Sequence, residues 1–251
     1  MYYRPIGVLE EPVIESKPAY DGHIQTTKFQ KFLLGMGSGI LALTNPKRGD
    51  MVALMGESTG ECSLKYMQSC MSNDPTGRRI LADQPRINSA TVDLDELAKL
   101  PEGTLGHEYI RFLNENGIHP DDRLPVEFVD DPSLAYVMTR YREIHDLVHL
   151  LCGMPTNMLG EVVVKVVEGL QTRLPMCVLG GLGGPIRLGP KHRNIYFTTH
   201  FPFAVQTGLK AKSFFNVYFE EEWETDLEEL RNRLNIPKIP QTPKLKNVHK
   251  T

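Results

Sequence analysis

The segment YREIHDLVHLLCGMPTNMLGE, residues 141–161, places titratable side chains within a mostly apolar stretch. Because polar groups are costly to bury without partners, such a placement indicates a chemical role. His145 and His149 are four residues apart, which puts both rings on one face of a helix. Two neutral imidazoles at this spacing can hold one divalent metal, although two hydrogen-bonded core histidines are the alternative.

Two carboxylates accompany these histidines. Glu161 follows a short turn at residues 153–155, so the next helix can bring its carboxylate to the histidines and close a His-His-carboxylate set. Three protein ligands leave one coordination position open, as a catalytic metal requires. Asp146 is rotated about 100° from His145 on a helix and is open to three roles: a metal ligand, a partner of a ligand, or a proton carrier.

Several functional classes are disfavoured. The HExxH pattern of zinc peptidases is not matched, because Asp146 occupies the position of its Glu and would not reach a metal-bound water in the same way. A His-Asp phosphohydrolase stays open, but its further ligands cannot be assigned. The net charge of −3 argues against a general nucleic-acid binder. The four cysteines form no CxxC pair, which argues against a zinc ribbon and favours a reducing compartment.

The elements that must position these residues are predicted to be helices. Asp131 as a cap, Pro132 at the first position and Gly153 at the end predict a helix over residues 132–152. A second helix is predicted to begin at Pro155. Its run of valines makes a strand the competing prediction for part of it.

The remaining pattern predicts an all-α or mainly α single domain at residues 26–235, between a flexible arm at 1–25 and a basic flexible tail at 236–251. No apolar run of 18 residues or more is present. Further predicted helices are Phe29–Leu43, one around residues 61–71, one capped by Asp74 with Pro75 first, one ending at Gly117, and an acidic one at residues 215–235. The glycine-rich residues 174–189 are assigned to no element. Phe29–Leu43 is predicted to be either a buried helix or one that inserts into a membrane surface or packs closely on a neighbour, since Gly35 and Gly39 would allow close approach.

The chain resembles a known family through several motifs. These are HDLVH followed by GMPTNMLGE, and also LTNPKRGDMVALMGESTG, LPEGTLGHEYIRFL and GLQTRLPMCVLGGLGGPIRL. Together they resemble the fourth coenzyme Q (ubiquinone) biosynthesis protein family of eukaryotes, over about residues 25–235. The acidic first 25 residues depart from the mitochondrial presequence with which family members usually begin.

The resemblance implies a mainly helical protein of the ubiquinone pathway, peripheral on the matrix side of the mitochondrial inner membrane. It implies a divalent metal, usually zinc, with Fe²⁺ or another ion left open. The implied ligands are His145, Asp146, His149 and Glu161. The implied reaction removes the C1 carboxyl group of a 4-hydroxy-3-methoxy-5-polyprenylbenzoate, with Asp146 as the candidate proton donor. The implied partners are other ubiquinone-biosynthesis proteins of the COQ complex, the prenylated substrate and the membrane surface, but no nucleic acid, and a homodimer is left open.

Two alternatives stay open under this resemblance. Decarboxylation could be coupled to hydroxylation of C1 if the metal were iron and dioxygen took part. The protein could instead be a non-catalytic scaffold that presents a prenyl lipid, with a structural metal closed by four ligands. Candidate walls of a prenyl groove are Phe29–Leu43 and residues 174–188, and Arg142 and Arg187 are candidates for an anionic head group. The acidic Glu220–Glu229 stretch is either a partner surface or a solvated face.

Overall fold

The computed structural model describes residues 18–44 and 49–241, and within these ranges the chain forms helices and no β-strand. The prediction of a mainly α fold is therefore confirmed. The α-helices are α1 (Lys28–Thr44), α2 (Gly49–Thr59), α3 (Glu61–Ser72), α4 (Pro75–Asp83), α5 (Leu94–Lys99), α6 (Leu105–Asn116), α7 (Pro132–Cys152), α8 (Met158–Thr172), α9 (Pro175–Gly183), α10 (Pro190–Ile195), α11 (Phe201–Lys210) and α12 (Leu227–Arg233). Short 3-10 turns and one π-helical turn at residues 196–200 lie between them. None of the helices in the described ranges is long and apolar enough to cross a bilayer.

Helix α7 is the central element of the fold. Its predicted signals are confirmed, because the Asp131 side chain accepts from the Ser133 amide at 2.8 Å and Gly153 ends the helix with a φ of 62°. Nearly every residue from Leu134 to Cys152 is buried. The helix packs against α3, α6 and α8. A helix surrounded in this way carries its polar residues into the interior, where they must be paired.

Helix α8 begins three residues later than predicted. Asn157 is the cap, since its side-chain oxygen accepts from the Gly160 amide at 3.0 Å, and Met158 is the first helical residue. The prediction that Pro155 begins the helix is therefore wrong. The valine-rich segment is helical through Thr172, so the competing strand is wrong as well. Tertiary packing of its apolar face overrides the β preference of valine.

The other predicted helix signals near the N-terminal half are confirmed. The Asp74 side chain accepts from the Gly77 amide at 2.9 Å, with Pro75 first in α4. Gly117 ends α6 in the left-handed conformation with a φ of 61°. Helix α3 buries Leu64, Met67 and Met71, as its spacing predicts.

Helices α1, α2 and α9 form a continuous set of packed elements beside α8. A Cβ atom at Gly35 would lie 2.6 Å from Cγ2 of Thr59, so the predicted close packing of α1 is confirmed, against α2. The segment at residues 174–189, unassigned from sequence, forms α9 and a 3-10 turn at Gly184–Arg187. A Cβ atom at Gly184 would lie 2.3 Å from Cγ2 of Val162, so glycine allows this segment to approach α8.

The prediction of one acidic helix over residues 215–235 is wrong. Only Leu227–Arg233 is α-helical, and 3-10 turns precede it. The buried residues of this segment include Phe215, Val217 and Phe219, whose spacing of two cannot fall on one helical face. Its carboxylates are largely paired within the chain, in the ion pairs Glu220–Arg140, Glu221–Arg79, Glu222–Arg233 and Glu228–Arg231.

The described ends of the chain are attached to the domain. The Tyr20 hydroxyl donates to the Val129 carbonyl at 2.8 Å, and the Ile24 amide donates to the Glu127 carbonyl at 2.8 Å. Ile239 packs on the core near the end of α7. The parts of the predicted arm and tail that could test flexibility, residues 1–17 and 242–251, lie outside the described residues.

Candidate metal centre

Helices α7 and α8 bring three ligating side chains together. His145 Nε2 lies 3.6 Å from Oε2 of Glu161, and His149 Nε2 lies 3.4 Å from Oε1 of the same carboxylate. The two imidazole rings meet edge to face, with centroids 4.8 Å apart. His145, His149 and Glu161 therefore form one group of potential metal ligands, as the spacing on the two helices predicts.

The turn between the helices orients His149. This ring is fully buried, and its Nδ1 lies 3.1 Å from the carbonyl oxygen of Met154, immediately after the end of α7. A carbonyl oxygen can only accept, so Nδ1 carries a hydrogen, and in the neutral ring Nε2 carries the lone pair. Nε2 has no hydrogen-bond partner among the described residues. Nε2 is therefore a buried acceptor that faces a carboxylate and a second imidazole, and a cation bound between these groups would satisfy it.

The opposite nitrogen of His145 is held by a second carboxylate. Nδ1 of His145 lies 2.6 Å from Oε1 of Glu168, about two helical turns beyond Glu161 on α8. Burial lowers the pKa of His145, but the charges of Glu168 and Glu161 outweigh burial and raise this pKa to about 9. Burial raises the pKa of Glu161, and the two histidines outweigh it and hold this pKa well below its usual range. The carboxylate of Glu161 is therefore ionised, as a metal ligand must be.

The three side chains fit a divalent ion. Ligand bonds of about 2.0–2.2 Å in a tetrahedral site place donor atoms about 3.3–3.6 Å apart. The Nε2 atoms of His149 and His145 lie 3.4 Å and 3.6 Å from different oxygens of Glu161. One donor atom from each of the three side chains lies within 4.8 Å of the others, so small side-chain shifts would bring all three to these separations. The donor set of two imidazoles and one carboxylate suits zinc, and it also suits non-haem iron.

Asp146 lies outside this group of ligands. Its carboxylate forms an ion pair with Arg123, in the segment between α6 and α7. The rotation of about 100° per residue carries the Asp146 side chain away from the face that His145 and His149 share. The sequence left three roles open for Asp146: metal ligand, partner of a ligand, and proton carrier. The ion pair with Arg123 favours neither of the first two. The role of Asp146 as proton carrier stays a prediction.

A cavity of about 730 Å³ adjoins His145 and Glu161, two of the three potential ligands. Its polar lining includes His145, Glu161, Tyr141 and Lys165. Its apolar walls come from α2, α8 and α9, with Val52, Ala53, Met55, Val162, Met176 and Leu179 among the lining residues. Such a cavity can hold a ring beside the metal set and an apolar chain along its walls.

The two arginines predicted for an anionic head group differ in their surroundings. Arg142 is buried and committed to the chain, because its guanidinium pairs with Glu57 and also donates to the carbonyls of Leu124 and Pro125. Arg187 is exposed and lines the cavity. Arg187 is therefore the better placed of the two to meet an anion from solvent.

Sequence reasoning missed Lys165 and Glu168. Both lie on the α8 face that carries Glu161, at four and seven residues beyond it. That spacing could have indicated a polar stripe facing α7, which presents Tyr141 and His145 at the same interval. The valines around Lys165 make the segment mostly apolar, and this hides the polar stripe.

Comparisons with known proteins agree on one family. A family model described as coenzyme Q (ubiquinone) biosynthesis protein Coq4 matches residues 20–240. The rat mitochondrial ubiquinone biosynthesis protein COQ4 homologue is 52% identical over 222 residues, which cover 88% of this chain and 84% of the relative. The human homologue is 51% identical over 223 residues, with 89% and 84% covered.

A solved structure shares the fold. The crystal structure of a protein from Nostoc punctiforme, named for ubiquinone biosynthesis, superposes with a TM-score of 0.66 and 22% identity. The match covers 85% of this chain and all of the other. The helical architecture described above is therefore one already observed in a crystal.

Proposed function

The chain belongs to the coenzyme Q (ubiquinone) biosynthesis protein Coq4 family, and from this premise we propose which step it performs. Its role lies in ubiquinone biosynthesis. The proposed step is metal-dependent removal of the C1 carboxyl group from a 4-hydroxy-3-methoxy-5-polyprenylbenzoate. The product is the corresponding 2-methoxy-6-polyprenylphenol and CO₂.

One observation carries this proposal: three potential ligands lie together at the edge of a cavity, and the fourth predicted ligand, Asp146, is paired elsewhere. A structural zinc is closed by four protein ligands, whereas a catalytic metal keeps an exchangeable position. Asp146 is tied to Arg123, so His145, His149 and Glu161 make a three-ligand set. This arrangement supports a catalytic site over the scaffold with a structural metal.

The chain's own residues would bind and orient the substrate. The apolar walls from α2 and α9 suit a prenyl chain and exclude water from the ring. Arg187 places positive charge in the lining, where a benzoate carboxylate can be attracted. A bound divalent metal would supply Lewis-acid stabilisation of negative charge on the phenol oxygen.

Decarboxylation breaks the bond between C1 and the carboxyl carbon, and a proton takes the place of CO₂ on the ring. Asp146 is the predicted donor of that proton. Its carboxylate is not among the groups that line the cavity, whereas its partner Arg123 is. Delivery from Asp146 would therefore need an intervening water or side chain. The residues proposed to bind the substrate therefore line the cavity, whereas the proposed proton donor lies outside it.

The same ligand set favours one variant of the reaction. Two histidines and one carboxylate are the ligands of many non-haem iron enzymes that use dioxygen. With iron bound, loss of the carboxyl group as CO₂ would be coupled to hydroxylation of C1, in which dioxygen supplies one oxygen atom and an external two-electron reductant reduces the other to water. Oxygen dependence distinguishes the two chemistries.

The deciding assay follows CO₂ release from a 1-¹³C-carboxyl-labelled prenylated 4-hydroxy-3-methoxybenzoate, using purified protein of known metal content, with and without oxygen. We expect release that requires metal and is lost in Glu161→Ala. The matched control is Glu115→Ala, an exposed glutamate on α6 that lies outside the cavity. Release only with oxygen would select the oxidative variant. No release from folded, metal-loaded protein would overturn the enzyme proposal and favour the scaffold.

We also propose that a bilayer covers one apolar face of the protein. Large apolar side chains protrude from α1 and from the α9 segment, namely Phe29, Phe32, Leu33, Met36, Leu179, Leu182 and Ile186. Phe29 is 68%, Leu182 72% and Ile186 75% exposed, which is unusual for a soluble surface. Gly39 of α1 and Leu179 and Gly183 of α9 also line the cavity. A bilayer on this face would deliver a prenylated substrate directly to the metal set.

With this docking mode we also propose a peripheral position on the matrix side of the mitochondrial inner membrane, beside other ubiquinone-biosynthesis proteins of the COQ complex. The curated relatives are named as mitochondrial. An exposed apolar face with no spanning helix among the described residues supports association from one side of the membrane. A homodimer remains a separate prediction from sequence.

A further inference from the structure

A buried polar cluster lies behind His145, on the side of the ring away from Glu161. Glu168 is 4% exposed, and its Oε1 lies 2.6 Å from Nδ1 of His145. Its other oxygen accepts from the Tyr141 hydroxyl at 2.8 Å and from the Lys165 ammonium at 2.7 Å. Every contact of this carboxylate is therefore with a hydrogen-bond donor that the chain itself provides.

The cluster fixes the Glu168 carboxylate, because both of its oxygens accept hydrogen bonds from side chains of α7 and α8. Burial and the neighbouring acidic groups raise the pKa of Tyr141 well above normal, so its hydroxyl stays a donor. The Cys177 thiol, 3.6 Å from Oε2, is a fourth donor. Four donors on one buried carboxylate leave it little freedom to rotate.

We propose that Glu168 is a positioning residue, which holds His145 with the hydrogen on Nδ1 and presents Nε2 to the metal. The inference rests on the proposed metal site and adds a residue to it. A carboxylate that accepts from the distal nitrogen of a ligating imidazole fixes the tautomer and ring orientation, and it makes the ligand more basic.

The two histidines are then oriented by different acceptors, a backbone carbonyl for His149 and a carboxylate for His145, and both rings present Nε2 to the metal site. His149 donates Nδ1–H to the Met154 carbonyl at the end of α7, and His145 donates Nδ1–H to Glu168 of α8. Both Nε2 atoms consequently face Glu161. The ligand set depends on α8 twice, once through Glu161 and once through Glu168.

The test measures zinc affinity of the full chain by competition with a chromophoric chelator. Replacing Glu168 with Gln keeps the side-chain shape and removes the charge. We expect Glu168→Gln to bind zinc about tenfold to a hundredfold more weakly. The matched control is Glu220→Gln, which removes a carboxylate paired with the buried Arg140 of the same helix α7, outside the cavity. Glu220→Gln should bind zinc as the wild type does.

A second readout reports the tautomer directly. In ¹⁵N NMR spectra of the zinc-loaded wild type, His145 should show a protonated Nδ1, a metal-bound Nε2 and a strongly deshielded Nδ1 proton. In Glu168→Gln that proton should move upfield and exchange faster with water. If Glu168→Gln fails to fold, Glu168→Gln combined with Lys165→Met removes the stranded ammonium together with its partner and is tested in the same way.

The outcomes separate the two proposals. A wild type that binds no zinc overturns the metal site and this inference with it. A wild type that binds zinc, with Glu168→Gln binding equally well, overturns the inference alone. An equal loss in Glu220→Gln also overturns it, because the effect would then report general stability.

Discussion

His149 is the residue on which the metal site depends most directly, because its Nε2 atom is buried without a hydrogen-bond partner in the described part of the chain. A buried imidazole nitrogen left in this state lowers stability unless something binds it. Its other nitrogen is already used by the Met154 carbonyl. The side chain is therefore arranged for a ligand rather than for packing.

Replacing His149 with alanine should remove the metal without unfolding the domain. We expect the metal content to fall close to zero, with a loss of about 1–3 kcal/mol in the free energy of unfolding. The measurements are elemental analysis and denaturant unfolding. His200→Ala is the matched control, since His200 is also fully buried but lies outside the cavity. The His200→Ala variant should lose stability and retain metal. Global unfolding of His149→Ala, without unfolding of His200→Ala, would instead indicate a structural metal.

His200 itself should make stability depend on pH. Burial lowers the pKa of His200 below its ordinary value of 6.5. The unfolded chain then binds a proton near pH 6.5 that the native chain does not, so stability falls as the pH drops below that value. One such proton contributes at most about 1.4 kcal/mol per pH unit. Urea unfolding at pH 7.5 and pH 5.5 should therefore show a smaller difference for His200→Gln than for the wild type, and an equal difference would contradict this.

At the scale of elements, helix α8 supplies both a potential metal ligand and the carboxylate that orients His145, although its valine-rich sequence indicates mainly packing. One face carries Glu161, Lys165 and Glu168, and its first turn is fixed by the Asn157 cap. The position of Glu161 in that first turn makes it sensitive to fraying of the helix.

Asn157→Ala should weaken metal binding as well as stability. Loss of the cap costs about 1 kcal/mol and loosens the turn that holds Glu161. Asp131→Ala, which removes the cap of α7, should cost a similar amount and leave zinc affinity unchanged, since His145 lies fourteen residues further on. Chemical denaturation and zinc competition are measured on both variants. Equal zinc affinities in the two variants would show that the first turn of α8 is not what positions Glu161.

Local signals explain what sequence could predict. Asp131, Pro132 and Gly153 act within a few residues of the helix ends they specify, so α7 was predicted to the residue. The spacing of His145 and His149 with a following Glu161 likewise predicted that these three side chains lie close together. The assignment of Asp146 depended on Arg123, which is distant in sequence and sets where that carboxylate lies. The helix proposed over residues 215–235 failed for the same reason, since buried aromatic contacts with other elements decide its path.

At the scale of the whole molecule, the cavity connects the potential metal ligands to the exposed apolar face formed by α1 and the α9 segment. The set lies between α7 and α8, and α9 and α2 extend from there to α1. The cavity has lining residues from all five helices. A prenylated substrate held at its ring by the set would have its chain directed toward the apolar face. Membrane binding and substrate access are therefore expected to depend on the same surface.

That expectation can be tested by placing charge on the face. Phe32→Glu combined with Leu182→Glu should reduce binding to vesicles that contain cardiolipin by at least about tenfold, because burying two charges in the interface opposes insertion. Both side chains are exposed, so the free energy of unfolding and the zinc affinity should stay unchanged. The control is Leu209→Glu on α11, which alters a leucine that is 67% exposed and belongs to neither segment.

Co-sedimentation with vesicles measures the first effect, and CO₂ release separates it from catalysis. Activity on a substrate with a short, water-soluble prenyl group should survive the double substitution. Activity on a long-chain substrate in vesicles should fall with binding. If the double variant still sediments with vesicles as the wild type does, the α1–α9 face is not the docking surface. A loss of both activities would instead mean that the substitutions disturb the cavity itself, since Gly39 and Leu179 connect the two regions.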